Sequence, residues 1–125
     1  MKTIKIPGPG HPINLRRLPA RVVVKAGGLV VADSISVIEL KEAAYPAVYY
    51  IPEKDVDMAK LAPTAHATYC PYKGDCSYFS MPMLGERGEN AVWSYVDPYE
   101  AVREIREHLA FYPDRMDSIE VMELY

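Results

Sequence analysis

The chain is poor in cysteine, with only Cys70 and Cys76 among 125 residues. Two thiols cannot make the disulfide framework of a small secreted scaffold, and in a reducing cytoplasm both are expected to be free. No stretch reaches the eighteen or so apolar residues needed to cross a bilayer. The opening Met1-Lys-Thr-Ile-Lys-Ile6 has the lysines of an export signal but no apolar centre, so a soluble, non-exported, cytoplasmic protein is expected. There is no excess of positive charge either. The net charge is −3, and Arg16-Arg17 is the densest basic cluster, which argues against nucleic acid as a partner. Internal repeats and low-complexity tracts are absent.

What the chain does have is tyrosine and proline, ten and eleven residues respectively. Tyrosine favours pleated, half-buried surfaces and proline punctuates loops, so the composition leans toward a β-rich fold. One domain over residues 1–125 is expected, with residues 1–12 a Pro/Gly-rich extended arm that packs poorly. Two β-branched runs, Arg21–Ala26 and Leu29–Asp33, are joined by Gly27-Gly28. That pattern predicts a hairpin, because both central residues of a type I′ turn need positive φ. Further strands are predicted at 36–41 and 47–51, at 68–71 and 76–83 around a reversal, at 90–96, and at 119–124. Pro52 to Leu61 reads as one or two helical turns stopped by Pro63.

One longer helix is predicted from Pro98 to about Leu109. Asp97 would cap it, Pro98 would occupy its first position, and Val102, Ile105 and Leu109 would form its apolar stripe. Together these elements predict a mainly β (α+β) fold: a single small twisted sheet or partly closed barrel with one C-terminal helix.

Chemistry concentrates in His66-Ala-Thr-Tyr-Cys-Pro-Tyr-Lys-Gly-Asp-Cys-Ser-Tyr-Phe79. An imidazole, two thiols, an ammonium, a carboxylate and three phenols lie within fourteen residues. A structural hairpin explains Pro71, Gly74 and Asp75, but not the polar His66, Thr68 and Lys73 beside strands. A thiol nucleophile would need Cys70 near His66 or Lys73, yet in an extended strand His66 and Cys70 lie about 13 Å apart. Zinc held by His66, Cys70, Cys76 and His108 is disfavoured, because the Cys-x5-Cys spacing exceeds that of a zinc knuckle. Aromatic faces at Tyr49, Tyr50, Tyr72, Tyr78, Phe79 and Trp93 suit a flat ligand, although alternate aromatics also fill cores.

The order Gly10-His11-Pro12-Ile13, Val48-Tyr49-Tyr50-Ile51-Pro52, His66-x-Thr68-x-Cys70-Pro71-Tyr72-Lys73-Gly74, Glu89-Asn90-Ala91-Val92-Trp93-Ser94-Tyr95, Phe111-Tyr112-Pro113-Asp114 resembles the domain-of-unknown-function 427 family. The resemblance covers nearly the whole chain and implies a small β-rich protein. The family's label suggests nucleotidyl transfer. That chemistry needs a phosphate cradle and carboxylates converging on metal ions. The chain has no Gly-Ser and no GxxxxGK[ST]. Asp55-Val56-Asp57 falls on the predicted short helix, where the two carboxylates diverge.

The sequence therefore predicts a small-molecule or anion-binding pocket bordered by His66–Lys73. His66 and Cys70 are the candidate catalytic groups; Tyr50, Tyr72, Lys73 and Trp93 are the candidate ligand-binding residues, with Lys73 holding an anionic group. No metal site or cofactor is implied, no membrane or nucleic-acid partner is expected, and the oligomeric state is open. The alternative is a non-catalytic interaction or structural β domain.

Overall fold

The computed structural model describes residues 2–124. Gly27 and Gly28 take φ values of +58° and +78°, so the Gly-Gly pair makes the tight reversal its composition requires. It joins β2 (Ala20–Ala26) to β3 (Leu29–Ser34), and β10 (Ser118–Glu123) pairs along the other edge of β2. The result is a three-stranded antiparallel sheet in the order β10-β2-β3.

The remaining strands form a second sheet. They are β1 (Ile13–Arg17), β4 (Ile38–Glu42), β5 (Val48–Pro52), β6 (Ala62–Cys70), β7 (Gly74–Ser80), β8 (Val92–Ser94) and β9 (His108–Phe111). Their order is β1-β4-β5-β9-β8-β7-β6, with every neighbouring pair antiparallel. The mainly β class holds. In place of the single sheet or partly closed barrel expected from sequence, the strands make two sheets that do not close into a barrel.

The expected C-terminal α-helix does not form. Residues Glu100–Ile105 make only a 3-10 turn, broken at Val102 (φ −128°, ψ 27°), and no side chain caps its start. His108–Phe111 then enters the sheet between β5 and β8. Val102 and Ile105 pack on one face of the large sheet, whereas Leu109 packs on the other. Their helical spacing was thus a coincidence of two different cores, and tertiary pairing overrode a weak local preference. The remaining helical segments among the described residues are also 3-10 turns, including Glu53–Asp55 and Met58–Lys60. Among the described residues, no helix is long and apolar enough to cross a membrane.

Strand alternation divides the apolar side chains between two cores. Val22, Val24, Val31, Ile51, Met81, Leu109 and Phe111 fill the space between the sheets. Leu40, Tyr50, Cys76, Tyr78 and Tyr95 lie on the opposite face of the large sheet, under Val102 and Ile105. Each fully buried aliphatic or aromatic side chain contributes about 1.5–3 kcal/mol. The N-terminal arm is anchored rather than loose. Lys5 N–H donates to the Pro71 carbonyl (3.0 Å), the Tyr69 hydroxyl donates to the Thr3 carbonyl (2.6 Å), and Ala43 N–H donates to the Pro12 carbonyl (2.8 Å).

Candidate functional site

The reversal between β6 and β7 forms as its residues demand. Lys73 N–H donates to the Cys70 carbonyl (3.2 Å), and Gly74 takes φ +110°, where a side chain would be strained. Register then fixes which side chains share a face. Thr68 opposes Cys76, Tyr78 opposes Trp93, Trp93 opposes Ala110, and Ile38 opposes Tyr50. Cys70, Cys76, Tyr78, Trp93 and Tyr50 all contribute to one core on this face. Of the residues singled out from sequence, Tyr50, Cys70 and Trp93 share this core, whereas His66, Tyr72 and Lys73 are not part of it. Lys73 and His66 fall in two further clusters.

Lys73 belongs to the first cluster. Its ammonium donates to Glu42 Oε1, while His11 Nε2 lies 2.7 Å from Glu42 Oε2. The Lys73 and Glu42 side chains are only 12% and 15% exposed. The His11 ring stacks on Tyr72 with centroids 4.2 Å apart and planes within 7°, and the Lys73 ammonium lies 5.8 Å from the Tyr95 ring centre. Burial alone would raise the Glu42 carboxyl; hydrogen bonds from Lys73 and His11 outweigh it and hold the carboxyl below its ordinary range. Lys73 is thus committed to an internal carboxylate, which occupies the place expected for an anionic ligand. Sequence reasoning missed Glu42 and left His11 exposed in a loose arm. The only signal was topological: Ile13 opposes Glu42, so β1 delivers the arm to it.

His66 belongs to the second cluster. It is exposed on β6, with its ring tilted over Tyr78 at 4.5 Å. With Tyr78, Glu86, Glu89, Asn90, Tyr112 and Arg115 it lines an open hollow of about 340 Å³. Neither Cys70 nor Lys73 lines that hollow. Arg115 Nη1 donates to the carbonyls of Arg87 and Glu89, 3.0 Å each, which fixes the rim. Thr64 Oγ1 donates to Asn90 Oδ1 (2.7 Å), so the Asn90 amide nitrogen keeps its own donors. Among the described residues, Glu86 and Glu89 have no ion-pair partner.

Phenols and thiols fill the space between. Trp93 Nε1 donates to the Tyr50 hydroxyl (3.2 Å), and the Trp93 ring lies 4.5 Å from that of Tyr112. Burial pushes the Tyr50 and Tyr95 hydroxyls well above their ordinary value, and it pushes Tyr78 up to about 12. These phenols are neutral hydrogen-bonding groups at neutral pH. The Cys76 thiol is buried, and burial raises it as well. Cys70 is half-buried. A thiol reagent is therefore expected to modify Cys70 before Cys76, and Cys76 at the rate of unfolding; equal rates in the folded protein would contradict this packing.

Among the described residues, no three His, Cys, Asp or Glu side chains are grouped to hold a metal, so His66, Cys70, Cys76 and His108 are not a ligand set. Asp55 accepts from Ser34 Oγ (2.6 Å) and Lys54 (3.0 Å), and Asp57 pairs with Lys60. The two aspartates are committed to different partners.

The family model described as a domain of unknown function (DUF427) matches residues 14–122. No curated protein matches the chain. The chain belongs to the DUF427 family.

Proposed function

We propose that this DUF427 domain is a non-covalent binding module whose ligand sits in the hollow at His66. The ligand class is a small, hydroxyl- or amine-bearing molecule. One observation carries this reading: Glu86, Glu89, Asn90 and His66 line a single solvent-open hollow, in which the Arg115 guanidinium is engaged by the Arg87 and Glu89 carbonyls, and among the described residues neither carboxylate has an ion-pair partner. Unpaired carboxylates repel an anion and attract a cation, and an amide plus an imidazole add directional hydrogen bonds. Tyr78 and Tyr112 supply flat walls against which a ring or methylene face can lie.

A nucleophilic role for Cys70 has less support. His66 lies four residues away along an extended strand, about 13 Å, beyond proton-transfer reach. Lys73, the other activating candidate, is held by Glu42. The binding reading also departs from the anionic ligand expected from sequence, because the cation meant to hold that ligand is internally paired.

The test is chemical-shift mapping with glucosamine, glucose and inorganic phosphate as probes. Glucosamine is expected to shift the Asn90 and His66 signals saturably, glucose more weakly and phosphate not at all. The double variant His66→Ala/Glu89→Gln should weaken glucosamine at least tenfold while leaving the fold unchanged. Preference for phosphate, or shifts centred on another face, would refute the assignment.

A further inference from the structure

The large sheet is split. β5 and β9 share only two ladder positions, Ile51 with Leu109 and Pro52 with His108. Beyond them, toward Val48 on one strand and Phe111 on the other, no ladder pair forms. Pro46 precedes β5 and Pro113 follows β9, and a proline cannot donate to a ladder. The gap is crossed by a side-chain hydrogen bond instead, from Trp93 Nε1 to the Tyr50 hydroxyl (3.2 Å).

A slot of about 210 Å³ lies at this split. Its floor reaches the core between the sheets: Val24, Ile51 and Phe111 are all buried. Ala47, Trp93 and Ile119 are half-buried at its rim. No charged side chain lines it. A dry apolar cavity of about 150 Å³ is already large enough to accept benzene. We infer that this slot is a binding site for a small uncharged aryl group, inserted at the split in the large sheet where Trp93 lines the opening.

The physical reasons are size, shape and charge. The volume takes one ring, the rim admits it from solvent, and burial of apolar surface drives insertion. A charged group would lose its hydration without gaining a partner. The slot is chemically opposite to the hollow at His66, and it does not depend on that assignment. The two are separated by the Trp93–Tyr112 ring contact at 4.5 Å.

Trp93 is the only tryptophan in the chain, so its indole N–H gives an unambiguous signal. Toluene titrated into ¹⁵N-labelled protein is expected to shift that signal saturably, together with the amides of Val24 and Ile119. Benzoate, of similar shape but charged, should bind at least tenfold more weakly. Two slot-filling variants on different segments, Ala47→Leu and Ile119→Phe, should each weaken toluene at least tenfold while keeping wild-type spectra elsewhere. The site is refuted if toluene gives no saturable shift up to its solubility limit, or if benzoate binds equally well. It is also refuted if a folded filling variant binds toluene as the wild type does.

Discussion

Glu42→Ala is expected to destabilise the protein by about 3 kcal/mol in urea denaturation, since it strands the Lys73 ammonium in a nearly sealed site. The loss should come from the orphaned cation rather than from the missing attraction. Replacing both partners with apolar residues of similar size, Glu42→Leu with Lys73→Met, is therefore expected to recover most of it, to within about 1 kcal/mol of wild type. Acid should reveal the same pair. The Glu42 carboxyl titrates below its ordinary value of 4.5, so its stabilisation is complete above that value and fades as pH falls through the lower folded-state value. The gap between wild type and Glu42→Gln should narrow over that acid range. A cost below about 1 kcal/mol for Glu42→Ala would mean that Lys73 finds water or another partner.

Gly88→Ala is expected to be comparably damaging, by about 3 kcal/mol. A Cβ there would stand 2.1 Å from the Met81 carbonyl oxygen and 3.0 Å from Leu84 Cβ. The first obstacle is backbone, which cannot rotate away. Met81 N–H donates to the Gly88 carbonyl (2.8 Å), and the Met81 side chain is fully buried between the sheets. Relief of the clash must break that bond or withdraw Met81. For a domain of this size a loss of that order lowers Tm by at least about 10 °C. The same loop carries Glu86, Glu89 and Asn90, so glucosamine binding at the hollow should fall in parallel. Gly10→Ala is the control: nothing lies within 4 Å of a Cβ there, and Tm should not move. An unchanged Tm for Gly88→Ala would mean that the loop closes differently.

How much could be read in advance followed from how local each cause was. Gly27-Gly28 announced its turn because positive φ at two successive positions is a property of those two residues. The valines of β2 and the alternation of β10 were legible for the same reason. The strand at His108–Phe111 was not, because Val102, Ile105 and Leu109 mimic a helical stripe. Only the fold shows that they serve opposite faces. The site divides along the same line. The segment His66–Lys73 is dense in chemistry, and Tyr50, Cys70 and Trp93 share one core, while Tyr72 stacks on His11. Which groups pair was set by long-range register. Glu42 and Lys73 are 31 residues apart, and nothing in either neighbourhood marks the other.

The pairing of β10 with β2 has a bearing on how the chain is made. The β2–β3 hairpin can close soon after it leaves the ribosome, but its outer partner is encoded roughly ninety residues later, a delay on the order of 5–20 s of translation. Throughout that interval the unpaired side of β2, with its run of valines, is an open template for any passing strand. Nascent copies on neighbouring ribosomes would meet there first, so slow synthesis or a stall before Ser118 should favour aggregation over folding.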